Sequence, residues 1–222
     1  MANSSWQVSQ DTASRSLSTH KVLRNTYMML AMTLLFSALT AGVAMSMGVG
    51  RMNIFVLLIG AYGLMFLVHK TANSTAGIFA TFAFTGFMGF TLGPVLNAYL
   101  SLPNGGQLVM TALGMTGITF AGLSAVALVT RKDFSFLGNF LFAGAIVLIL
   151  AMLAAMIFNI SGLALAVSAG FVLFASAAIL FETSQIIHGG QTNYLLATVS
   201  LYVSIYNMFV SLLALLGFAS DD

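Results

Sequence analysis

The stretch "AILFETSQIIHGGQTNYLLATVSLYVSIYNMF" occupies residues 178–209. One apolar run ends in it and a second begins. The break between them, "HGGQTN" at 188–193, joins two glycines to polar residues, which is turn chemistry rather than the continuation of a helix. Read that way, the stretch joins two membrane-spanning helices. It also holds Glu182, the only acidic residue between Asp133 and Asp221.

Composition supports that reading along the whole chain. Of 222 residues, 59% are hydrophobic and only 5% charged, where a soluble domain carries about 25% charge. Mean hydropathy is +1.02. Such a chain cannot cover itself with a hydrated surface, so lipid is its main solvent. There are no cysteines, which removes disulfides, thiol nucleophiles and cysteine metal sites. The net charge of +2 is too small to point to nucleic acid.

A spanning helix needs about 20 mostly apolar residues. Seven candidates follow, at about Tyr27–Met47, Asn53–Val68, Ala76–Tyr99, Leu108–Val129, Phe136–Phe158, Gly162–Phe181 and Tyr194–Phe218. The breaks are "GVGRMN", "HKTANST", "LPNGGQ", "TRKDFS", "NISG" and "HGGQTN". Pro103 falls in a loop. Pro94 falls inside the third span and is expected to kink it, which neighbouring helices can accommodate.

Lysine and arginine then set the orientation. With seven spans, Arg15, Lys21, Arg24, Lys70, Arg131 and Lys132 fall on one side and Arg51 alone on the other. The expectation is an N-terminus in the cytoplasm and a C-terminus outside. Residues 1–24 are rich in Ser, Thr, Gln and Asn and lack a hydrophobic period. They read as a flexible cytoplasmic tail, ahead of a seven-helix transmembrane domain at 25–222. The first apolar run is too long for the core of a cleaved signal and reads as a retained anchor.

The inventory of chemistry is short. Glu182 closes the sixth span, about 30 Å from its start at Gly162. Two readings are open: a partly hydrated helix end, or a carboxyl turned into the bundle. In the last span Ser200, Ser204 and Asn207 share one face, with Tyr206 nearby, and make a polar stripe. It serves interhelical hydrogen bonding or lines a cavity reaching Glu182. His20, His69 and His188 fall near one membrane face, without paired spacing for a metal. Gly89 and Gly93 form a GxxxG step, next to Pro94, for close helix approach within the chain or between copies. There is no HExxH, no intramembrane aspartate pair and no Gly-x-Ser-x-Gly elbow, so neither an enzyme nor a cofactor is expected.

Taken in order, "TFAFTGFMGFTLGPVL", "DFSFLGNFL", "LFETSQIIHGG" and "LYVSIYNMFVSLL" resemble the Bax-inhibitor-type membrane protein family from about residue 20 onward. With its polar N-terminal segment, the chain is similar to the bacterial branch that modulates the FtsH protease. The resemblance implies an all-α, polytopic inner-membrane protein whose last helix is central and surrounded by the other six. It implies binding to FtsH and its HflK/HflC partners, as inhibitor and poor substrate. The tail, with Ser5, Trp6, Asp11 and Arg15, would be the segment engaged. Other family members are pH-sensitive calcium leaks, so a cation leak centred on Glu182 is the alternative. In those an acid at the end of the sixth span pairs with a second in the seventh, and a basic residue ends the second. Here the three places fall on Glu182, Ser204 and His69, followed by Lys70, so the second carboxylate is missing. Glu182 is therefore expected to be an inward-facing hydrogen-bonding anchor, with His69 and Ser204 as partners. Oligomeric state stays open.

Overall fold

The computed structural model describes the backbone of residues 3–50 and 52–220 and the side chains of residues 19–50 and 52–220. Among these are seven helices and no strand: α1 (Asn3–Ser46), α2 (Ile54–Thr71), α3 (Ala76–Leu100), α4 (Gly105–Thr130), α5 (Leu137–Phe158), α6 (Ser161–Ile187) and α7 (Tyr194–Ala219). All seven are long and apolar enough to cross a membrane, the first over Thr19–Ser46. The chain is a polytopic all-α membrane protein, as expected.

Two boundaries differ from the expectation. The sixth helix does not stop at Phe181 but runs to Ile187, ending before Gly189 at φ +76°. Polar residues after Phe181 do not break it: a neighbouring loop and Tyr27 of α1 bond their side chains. At the other end of the chain, the backbone is helical from Asn3, continuous with the first span. Once an apolar helix is nucleated, extending it through polar residues carries no second nucleation cost. The side chains of Ser5, Trp6, Asp11 and Arg15 lie outside the described residues, as do Arg51, Asp221 and Asp222.

Two asparagines start helices by accepting from the first free backbone N–H groups. Asn53 caps α2 through Phe55 N at 2.9 Å. Asn193 caps α7 through Leu195 N at 2.9 Å and Leu196 N at 3.2 Å.

In lipid the apolar effect does not hold helices to each other; close packing and interhelical hydrogen bonds do. The α1–α3 seam shows the packing part. A side chain on Gly86 would collide with Phe36, on Gly89 with Ser37 and Thr40, and on Gly93 with Ala44. Gly89 and Gly93 thus meet α1 of the same chain. α3 runs as one helix through Pro94.

α7 packs against α1, α2, α3, α4 and α6, whereas α5 packs on α6 alone. The last helix is central, but five helices surround it rather than six. α5 has only Asn139 as a polar side chain, so lipid solvates it nearly all round. Buried residues form two clusters along α7. One holds Leu30, Val68, Phe84, Ile186, Leu201 and Tyr202. The other holds Leu108, Ala112, Ile179, Met208, Phe209 and Leu213.

Candidate functional site

α6 and α7 form an antiparallel pair across the 188–193 turn, and this pair positions Glu182. The carboxyl is partly buried on α6, with the Ser200 hydroxyl of α7 as its polar neighbour. On the next residue of α6, Thr183 Oγ1 lies 3.4 Å from Tyr27 OH of α1. Glu182 therefore sits where α6 and α7 are closely paired, five residues before the end of α6.

The polar stripe of α7 divides into two kinds of group. Ser204 is buried, but its hydroxyl donates to Ser200 O of its own helix at 3.0 Å. Asn207 lies one turn further on and is partly buried. The interhelical bonds come instead from a ladder at spacings of four, Thr198, Tyr202 and Tyr206. Thr198 Oγ1 reaches Thr26 O of α1 at 3.4 Å. Tyr202 is only 1% exposed, and its hydroxyl lies 2.6 Å from Ser37 Oγ of α1 and donates to Thr85 O of α3 at 3.2 Å. Tyr206 OH meets Thr91 Oγ1 of α3 at 3.2 Å. One helix thus bonds α1 and α3 at successive turns.

At the membrane face carrying the α2–α3, α4–α5 and α6–α7 loops, side chains stitch the loops to the helices. Ser184 of α6 accepts from Phe134 N at 3.0 Å and donates to Lys132 O at 3.3 Å. Gln185 Nε2 donates to Ser135 Oγ at 3.2 Å. Asn193 Nδ2 donates to Ala72 O and to Asn73 Oδ1, both at 2.9 Å. Within the α4–α5 loop, Asp133 accepts from the hydroxyl and the backbone N–H of Ser135. Those bonds, with the His188 charge nearby, hold its carboxyl below the ordinary range despite a small opposing effect of desolvation.

Of the expected partners of Glu182, neither is brought to it. His69 is exposed at the end of α2, its Nδ1 on Met65 O of its own helix at 2.8 Å, and α2 does not pack on α6. Ser204 faces its own backbone, and the neighbour is Ser200, one turn earlier. The reason is the antiparallel register: Glu182 near the end of α6 meets the first turns of α7. His188 pairs with Ser184, its Nδ1 2.9 Å from that carbonyl. Tyr202, Ser184, Gln185 and Asn193 escaped the sequence reading. The four-residue spacing of Thr198, Tyr202 and Tyr206 is the signal that could have found the ladder.

Residues 19–221 match the family described as inhibitor of apoptosis-promoting Bax1. The chain is 56% identical to a protein of Escherichia coli strain K12 named modulator of FtsH protease YccA, over 93% of this chain and 94% of that protein. It is 59% identical to an uncharacterised protein of Pseudomonas aeruginosa, over 90% of each chain. A membrane protein of Vibrio cholerae is 46% identical over 94% of each. With near-full-length similarity and seven spanning helices of which the last is central, the chain belongs to the Bax-inhibitor family.

Proposed function

We propose that this protein is a bacterial inner-membrane modulator of the FtsH ATP-dependent protease and acts by binding rather than by catalysis. The observation that carries the reading is the 56% identity, over 93% of this chain, to the Escherichia coli protein named for that role. A second Escherichia coli relative, equally similar, is named an inner membrane protein. HflK and HflC belong to the same reading as partners of the protease.

The physical route is a segment that is easy to seize ahead of a bundle that is hard to unpack. The backbone of residues 3–24 is helical and continuous with the first span, about 30 Å of helix at 1.5 Å per residue. Behind them, α7 is bonded to α1 and α3 and surrounded by five helices. Six of the seven basic residues share one side, which supports an N-terminus in the cytoplasm, where the ATP-driven machinery works. An engaged but unextracted chain would occupy the protease.

Deleting residues 5–17 tests this. The deletion should abolish turnover by the protease while the bundle keeps its thermal unfolding transition. Unchanged turnover would refute engagement through that segment, and absence of FtsH from membranes solubilised around the tagged protein would refute the function. The cation-leak alternative has a single carboxylate, Glu182, beside Ser200. Calcium prefers six to eight oxygens. In liposomes, neither wild type nor Glu182→Gln should therefore carry an acid-dependent calcium flux.

A further inference from the structure

A cleft of about 680 Å³ opens on the face that carries the three stitched loops. It lies between the start of the first span, the end of α4, and the end of α6 with the turn after it. Its lining has two parts. Leu23, Leu128 and Ile186 are apolar; His20, Arg131 and His188 bring ring and guanidinium nitrogens. The recess next to it along α1 is lined by His20, Lys21 and Arg24. Among the described residues no carboxylate lines either one.

Depth identifies the chemistry. α4 ends at Thr130 and α6 ends at Ile187, and Lys21 and Arg24 stand just ahead of the first apolar run. The cleft therefore straddles the level at which hydrocarbon gives way to lipid headgroups, apolar toward the bilayer and basic toward water. Of the nearby acids, Asp133 accepts from Ser135 and also lies near His188, and Glu182 lies beside Ser200. Arg131 ends α4 in the left-handed conformation at φ 49°. The loop that follows it is tied to α6 through Lys132 O and Phe134 N on Ser184. His188 turns Nδ1 to Ser184, so Nε2 remains for the cleft.

We propose that this cleft binds the phosphate headgroup of an anionic phospholipid of the surrounding membrane. The phosphate lies on Arg131, His20 and His188, and the glycerol end of the acyl chains on Leu23, Leu128 and Ile186. Basic pockets between spanning helices at the headgroup level suit this ligand class. A guanidinium matches phosphate oxygens in two parallel hydrogen bonds. The apolar lower half selects a lipid over free phosphate, which has no use for it. The proposal stands apart from any action on a protease.

The full-length protein in neutral detergent is titrated with phosphatidylglycerol, phosphatidylcholine or inorganic phosphate and followed by native mass spectrometry. Wild type should hold one phosphatidylglycerol at least about tenfold more tightly than phosphatidylcholine, with no competition from millimolar phosphate. Arg131→Gln combined with His188→Gln should weaken phosphatidylglycerol about tenfold, whereas Arg131→Lys should stay within about threefold. His20→Gln, on a different element, gives an independent arm with an expected loss of about threefold. Lys70→Gln, on the same face outside the cleft, should change nothing. Equal affinity for the two lipids, or wild-type affinity in both the double variant and His20→Gln, overturns the proposal. Displacement of the lipid by inorganic phosphate also overturns it, because the site would then belong to the free anion.

Discussion

α5 and α7 are both spanning helices, and their contrast reverses the rule for proteins in water. α5 is the most apolar span of the chain, yet only 11% of its central window is buried. α7 is less apolar and 56% buried. In water the greasier helix would be inside. In lipid the outer helix has nothing to gain from leaving an apolar solvent, while polar groups must find partners within the protein. The centre of this bundle is thus marked by tyrosine, threonine and serine set among its buried leucines.

The contrast can be broken most severely where helices touch without side chains between them. Gly89→Leu drives a side chain into Ser37 and Thr40 of α1, with an expected loss of about 3 kcal/mol or more. Gly114→Leu, with nothing within 4 Å of its added carbon, should leave stability unchanged. Thermal unfolding in detergent compares the two, and equal losses would mean that the inner seam is no tighter than the lipid face.

Next in size is the ladder. Tyr202→Phe removes two interhelical bonds and leaves Ser37 without that partner, at about 1–2 kcal/mol. The same change at Tyr62, 64% exposed, should be silent. Smaller again is Glu182→Ala, at about 1 kcal/mol for the loss of a polar contact with Ser200. Glu182→Gln should retain most of that stability, and a loss larger than that of the alanine variant would argue for a charge-dependent role.

Asp133→Asn should have the smallest effect, and its sign depends on pH. Because Ser135 holds the folded carboxyl below its ordinary value of 3.8, the stabilisation is fully present above that value. It is lost as pH falls through the folded value. Wild type and variant should differ slightly near neutrality and converge in strong acid, as read by unfolding temperature.

The spans were legible because a run of about 20 apolar residues has almost no other use. Their ends were less so. The polar Thr183, Ser184 and Gln185 looked like a helix end, yet α6 runs through them, with Thr183 meeting Tyr27 of α1 and the α4–α5 loop bonding Ser184 and Gln185. The resemblance gave a central seventh helix; that α5 stands outside the ring could not be read from either source. Glu182 was found as the lone carboxylate, but its partner was placed one turn away, on Ser204 rather than Ser200. A linear pattern shows which residues share a face of one helix and not how far two helices slide past each other. Tyr202 looked apolar in a run of apolar residues, although its hydroxyl links α7 to two neighbours.

Hydropathy along the chain is enough to show that lipid is the solvent, that there are seven spans, and that one carboxylate stands near the end of the sixth. These follow from transfer to an apolar medium, a property each residue carries wherever it sits. The packing of the helices adds how many of them surround α7, that Gly89 and Gly93 meet α1, and that Glu182 lies beside Ser200. It alone gathered His20, Arg131 and His188 around one cleft. Those outcomes depend on the rotation and register of each helix against its neighbours, which hydropathy does not encode because lipid and protein interior are equally apolar.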